Sequence, residues 1–258
     1  SWKLDTSESG PGNIFISENS KKAISYENEG SRYIIIINYD SPNRLYILSK
    51  TYTWESSEKG PGGTTVNKRS NNVLQFKDFT DDKSIYILIL NENSSNDLYK
   101  FNSTGDWETD VSGPGNIMDT KNSKGAVCFG KYTFTSSEPD ETFIYVVNDM
   151  SSNELFLLKN NTWSKPLDNI GLDVNTVHAS NDVIIFENEL YLYLLVLNNG
   201  CNILYKSEKK STMSEQSVLK NITTVWIRIS YGPGSMNIGG NSTSAKIINN
   251  NNNKLDLF

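Results

Sequence analysis

Tyr33-Ile34-Ile35-Ile36-Ile37-Asn38, followed by Asp40-Ser41-Pro42-Asn43, Leu45-Tyr46, Trp54 and Gly60-Pro61-Gly62, is the stretch whose reading decides the fold. A short β-branched run bounded by turn residues predicts a buried strand. The polar tetrapeptide after it predicts a hairpin. The Leu-aromatic pair then opens a third strand, and the tryptophan marks a fourth that ends at the glycine turn. The same order recurs at Ile85 to Asn91, Phe143 to Asn148 and Leu192 to Asn198. The paired residues Leu98-Tyr99, Leu155-Phe156 and Leu204-Tyr205 follow at seven, seven and six residues.

Gly-Pro-Gly begins at Gly10, Gly60, Gly113 and Gly232, with a degenerate copy, Ile-Gly-Leu, centred on Gly171. The marks lie 50, 53, 58 and 61 residues apart. Counted from each, an apolar or aromatic residue closing a first strand falls at Tyr26, Phe76, Phe129, Phe186 and Ile248, at offsets of 16, 16, 16, 15 and 16. All five tryptophans, Trp2, Trp54, Trp107, Trp163 and Trp226, precede a mark. Glycine permits positive φ and proline fixes its own, so the marks read as turns from one module's edge to the next module's first strand.

A module of four short strands cannot bury both faces alone, so successive copies must stack, and radial stacking of four-stranded sheets gives a propeller. The expectation is an all-β, single-domain, five-bladed β-propeller of antiparallel blades, with modules at about 10–59, 60–112, 113–170 and 171–231. Residues 232–258 and 1–9 share the last blade and close the ring. That blade is irregular: Ala245 to Asn249 fits a first strand by offset, whereas Ile247 to Asn249 followed by Leu255 copies the spacing of second and third strands. The polar stretch Lys206 to Lys220 reads as an inserted loop.

Twenty-four Lys plus Arg against 30 Asp plus Glu give a net charge of −6, which argues against nucleic acid and anionic membrane as partners. No apolar run approaches the roughly 20 residues of a spanning helix. Cys128 and Cys201 make neither a disulfide framework nor a CxxC metal pair, and His178 is the sole histidine, so no metal site or cofactor is expected. Asparagine is abundant, with 33 residues and a run at Asn249 to Asn253, a bias that reads as genomic as much as structural. The sequons at Asn93, Asn102, Asn160, Asn221 and Asn241 are no more than that abundance produces by chance.

An indole face stacks on the apolar face of a sugar ring, so one tryptophan per repeat offers repeated shallow sites between blades; its other role is inter-blade packing. Glu27, Asp78 and Glu187 at the ends of first strands form a second set, the carboxylates that a five-bladed glycoside hydrolase would need around its axis. A platform for protein partners is the third possibility, with the Lys206 to Lys220 loop marking its face.

Lys22 to Asn28, Tyr33 to Asn38, Asp40 to Asn43, Leu45-Tyr46 and Trp54 together resemble the repeat of the fungal, Aleuria-type fucose-binding propeller lectins, over nearly the whole chain. The resemblance implies a non-enzymatic, secreted carbohydrate-binding protein whose partners are glycans or glycoproteins. In that family an Arg opening the second strand and a Glu on the third clamp the sugar hydroxyls, beside an aromatic from a neighbouring blade. Arg32 stands near the first position, with Ser84, Thr142 and Tyr191 as counterparts; Ile47, Lys100, Leu157 and Lys206 stand at the second, so the charged clamp is not retained. The candidate ligand-binding residues are Trp2, Trp54, Trp107, Trp163, Trp226, Arg32, Glu27 and Glu187.

Overall fold

The computed structural model describes residues 19–28, 30–49, 53–57, 60–62, 69–79, 81–101, 106–116, 121–132, 139–167, 170–174, 177–188, 190–208, 225–229, 247–250 and 254–257. Trp2 and the Gly232 mark lie outside them, as does the side chain of His178. Of the loop expected over Lys206 to Lys220, Lys206 to Glu208 instead extend the strand Ile203–Glu208, and residues 209–220 lie outside the described residues. The chain divides into two compact units, residues 1–123 and 124–258.

The first unit holds two four-stranded antiparallel meanders. One consists of β1 (Ser20–Asn28), β2 (Ser31–Asn38), β3 (Arg44–Leu48) and β4 (Trp54–Ser57). The other consists of β5 (Arg69–Asp78), β6 (Asp81–Glu92), β7 (Asp97–Phe101) and β8 (Trp107–Asp110). Each fourth strand runs into a 3-10 turn, Gly60–Gly62 or Gly113–Asn116, entered at φ of 67° and 52° respectively. Side chains alternate across a strand, so each meander has two faces. Ile35, Ile37, Tyr33 and Leu45 on one face of the first meander pack against Ile85, Ile87, Ile89, Tyr99 and Phe101 on the second, forming one core. Continuous β-branched runs suit strands buried on both faces, and Leu88 and Leu90 fill the other side of β6.

The second unit repeats the plan. β9 (Asn122–Tyr132) starts at the division and leads into β10 (Pro139–Ser152), β11 (Glu154–Lys159) and β12 (Thr162–Ser164). β13 (Val177–Glu187), β14 (Tyr191–Asn198), β15 (Ile203–Glu208) and β16 (Ile227–Ile229) make the fourth sheet. β10 is longer than the Phe143 to Asn148 run, and its far end pairs with the start of β13, Asp149 with Ala179 and Ser152 with Val177, so the two sheets share one ladder. Phe143, Tyr145 and Val147 pack against Leu194, Val196, Tyr205 and Trp226. β17 (Ile247–Asn250) and β18 (Lys254–Leu257) form an antiparallel hairpin.

In each of the four repeats among the described residues, the hairpin after the second strand is closed by an equivalent pair of asparagines. The backbone N–H of Asn38 donates to Asn43 Oδ1 at 2.9 Å and its Nδ2 to the Pro42 carbonyl at 2.7 Å. Asn91 treats Asn96 and Ser95 likewise, Asn148 uses Asn153 and Ser152, and Asn198 uses Asn202 and Cys201. A first-strand serine donates to the second-strand asparagine: Ser20 to Asn38, Ser70 to Asn91 and Ser180 to Asn198, at 2.8, 2.8 and 2.7 Å. Much of the asparagine excess is therefore structural, because a buried amide in these turns must be satisfied locally.

Candidate functional site

The residue that closes each first strand stacks on an aromatic opening the second. Tyr26 lies on Tyr33 with centroids 4.7 Å apart, Phe76 on Tyr86 at 5.0 Å, Phe129 on Phe143 at 5.6 Å and Phe186 on Tyr193 at 5.1 Å. The interplanar angles, 4°, 6°, 6° and 11°, show one geometry repeated four times. The second column, Tyr33, Tyr86, Phe143 and Tyr193, was visible as a recurrence beside the first, but only the hairpin register turns recurrence into contact.

Two tryptophans finish these pairs from the next sheet. Trp107 meets Tyr26 edge-on at 6.1 Å and Phe101 at 4.9 Å. Trp226 meets Phe129 edge-on at 5.2 Å and is only 2% exposed. The glycine marks explain how the indoles come so close. A Cβ on Gly60 would stand 2.6 Å from the Trp107 side chain, and one on Gly171 2.1 Å from the Trp226 carbonyl oxygen. The Trp226 N–H donates to the Ile170 carbonyl at 2.9 Å, which fixes the degenerate mark to the same position. Inter-sheet packing is thus the role in which Trp226 is placed, and Trp107, half-buried, shares it. Trp54 and Trp163 are half-buried at the starts of β4 and β12.

The charged candidates lie elsewhere on the sheets. Arg32 and Glu27 are cross-strand neighbours whose Nε and Oε1 are 2.5 Å apart, with side chains 69% and 65% exposed. They occupy the face opposite Tyr26 and Tyr33, and so do not border that stacked pair. Asp78 is fully buried at the end of β5. Glu187 is exposed at the end of β13, in the other unit from Glu27 and Asp78. Among the described residues no group of His, Cys, Asp and Glu could hold a metal ion.

Burial governs the tyrosines. It raises the phenol of Tyr26 far above its ordinary range, with Tyr33 adding, and does the same for Tyr145. Tyr205 is pushed up to about 12, first by burial and then by Asp173.

The fourth repeat departs from this closed arrangement. Phe186, Tyr193 and Tyr191 are all half-buried on one face of β13 and β14, with Tyr191 tilted 59° to Tyr193 at 6.2 Å. The Lys206 ammonium stands over the Tyr191 ring, 4.9 Å from its centroid. Asn188 Oδ1 accepts from the backbone N–H groups of Leu190 and Tyr191 at 2.9 and 2.7 Å, an Asx turn that sets the angle at which Tyr191 leaves the hairpin. The Asn188 amide also lies 3.4 Å from the Tyr193 hydroxyl. Aromatic surface, a cation and an amide therefore share one accessible shelf.

No protein-family model matches the chain, and no curated protein matches its sequence. Among solved structures it is similar to a lectin from Burkholderia pseudomallei, at 9% identity and a TM-score of 0.50, over 81% of this chain and 57% of that one. The six-bladed β-propeller lectin of Aleuria aurantia matches at 12% identity and a TM-score of 0.47, over 89% and 67% of the two chains. An exo-β-1,3-galactanase of Phanerochaete chrysosporium matches at 10% identity and a TM-score of 0.46, over 77% and 50%. This chain spans little more than half the length of the Burkholderia lectin. The likeness is one of fold: the chain is an all-β protein built of antiparallel sheets.

Proposed function

We propose that this chain is a non-enzymatic carbohydrate-binding protein, built as a five-bladed propeller in which residues 232–258 and the segment around Trp2 share the closing blade. The observation that carries the reading is the half-buried shelf of Phe186, Tyr193 and Tyr191. Aromatic faces of this kind receive the C–H face of a pyranose. In the other described repeats the equivalent pair is largely buried, so further weak sites acting together would draw on Trp54 and Trp163, the remaining half-buried indoles. The fold likeness to a lectin supports the same reading.

A hydrolytic reading draws on Asp78, a carboxylate buried at a first-strand end. Glycoside hydrolysis requires two carboxylates flanking the bond. Glu27, near the same strand end in its own repeat, is engaged by Arg32 at the exposed surface, which favours binding over hydrolysis. The test is a glycan array with the purified chain, run beside an assay for released reducing sugar. Saturable glycan binding without sugar release supports a lectin. Release of sugar abolished by Asp78→Asn would replace that reading with a hydrolase, and silence in both assays would leave a protein-binding platform.

A further inference from the structure

The shelf of the fourth repeat carries a cation where the equivalent positions of the first and third carry aliphatic side chains. Lys206 is cross-strand partner to Tyr193, as Ile47 is to Tyr33 and Leu157 to Phe143. In those two repeats the stacked pair is finished by a tryptophan, Trp107 or Trp226. Lys100 shares the cationic position in the second repeat and lies 5.5 Å from the Tyr86 centroid, but Tyr86 and Phe76 are buried and offer no surface. At this cross-strand position only the fourth repeat, among the described residues, joins a lysine to an accessible stacked pair; the other exposed lysine–ring contact, Lys21 over Tyr39, lies away from the first repeat's stacked pair.

We infer that the Phe186–Tyr191–Tyr193 shelf with Lys206 selects a sugar bearing a carboxylate or sulfate group, the ring lying on the tyrosines and the acid group on the ammonium. This rests on the carbohydrate-binding reading and names the ligand class of that site. The geometry fits the chemistry in three respects. Tyr191 holds the ammonium by cation–π attraction at the rim of the shelf, so the cation is placed before any ligand arrives. The Asn188 turn fixes Tyr191, and its amide is within reach of ring hydroxyls beside Tyr193. A half-buried ammonium forms stronger hydrogen bonds to an anion than to a neutral hydroxyl. Glu208, exposed and cross-strand to Tyr191, is the acidic neighbour on the same face and bounds the site against a second negative charge. The net charge of −6 likewise opposes a polyanion while tolerating a single acid group close to the lysine.

The test compares glycans ending in a carboxylate-bearing sugar, glycans ending in a sulfated sugar, and their neutral parents, against the purified chain and its Lys206→Gln, Lys206→Arg and Tyr191→Ala variants. The acid-bearing glycans should bind about 10-fold or more tighter than their neutral parents, a charge-assisted increment. That preference should fall when salt is raised from about 0.1 M to about 1 M. Lys206→Gln should abolish the preference, bringing acid-bearing glycans to the affinity of their neutral parents, Lys206→Arg should restore it, and Tyr191→Ala should weaken both classes. The carboxylate and sulfate arms tell which acid group is taken. Equal binding of acidic and neutral glycans, or a preference undiminished in Lys206→Gln, overturns the inference and leaves the carbohydrate reading standing. Absence of binding to every glycan overturns both.

Discussion

Asn43 of the first repeat donates through Nδ2 to the hydroxyl of Ser70 in the second, at 3.1 Å, and that hydroxyl passes its own proton to Asn91 at 2.8 Å. One oxygen thus joins the hairpin of one repeat to the first and second strands of the next. Asn96 reaches Ser123 in the same way at 3.1 Å.

Removing that oxygen leaves a buried amide donor and a buried amide acceptor unmet. Ser70→Ala should cost about 1–3 kcal/mol. Thermal unfolding should register it as a drop of roughly 2–4 °C per kcal/mol. A melting point equal to wild type would show that water replaces the hydroxyl.

Trp107 and Gly60 form a lock of which each half can be broken. Trp107→Ala should destabilise by about 3–5 kcal/mol, the cost of deleting a large packed aromatic. Gly60→Ala should also destabilise, because its φ of 67° disfavours a side chain and the new Cβ would meet the indole at 2.6 Å. Denaturant titration distinguishes this from a ligand-contact role, in which Trp107→Ala would lower glycan binding with the unfolding midpoint unchanged.

The Arg32–Glu27 pair should matter little to stability. Both side chains are about two-thirds exposed, so Arg32→Ala should shift unfolding by under about 1 kcal/mol, and added salt should shrink even that. A larger loss would mean that Arg32 has a role in packing.

Stability should decline at high pH through the buried tyrosines. Tyr205 titrates near 12 in the folded chain and near 10 when unfolded, so the unfolded state releases its proton first as pH rises. Below about 10 both states are protonated and nothing is lost; between about 10 and 12 the unfolded state is progressively favoured. Tyr26, Tyr99 and Tyr145, raised in the same direction by burial, act in concert. Urea midpoints measured from neutral pH to 11.5 should fall only beyond about pH 10, and Tyr205→Phe should reduce that fall.

The repeat was legible because its marks sit where backbone geometry admits few residues. Gly60 and Gly113 need positive φ, and the run from Ile85 is a strand buried on both faces, whereas the run from Tyr33 buries Ile35 and Ile37 on one face and leaves Ile34 and Ile36 half-buried on the other. The asparagines following those runs were legible as strand ends but not as clasps, because composition hides which amides are satisfied by which carbonyls. The tryptophans form a column in the sequence, which by itself leaves them between ligand contact and packing. Whether an indole faces a sheet or solvent depends on the distance between sheets, which for Trp226 is set by Gly171 and Ile170. In the sequence Tyr191 and Lys206 read only as positions at which a charged clamp is not retained; with Asn188 they come from both sides of a hairpin and from β15, and only register brings them together.

The ladder between β10 and β13 separates two kinds of boundary that a repeat protein usually merges. The third and fourth repeats, distinct in sequence, share backbone hydrogen bonds, so their amides are expected to exchange with solvent as one unit of double length. The first and second keep separate sheets joined through side chains in one core, so their exchange is expected to depend on that core and not on a shared ladder.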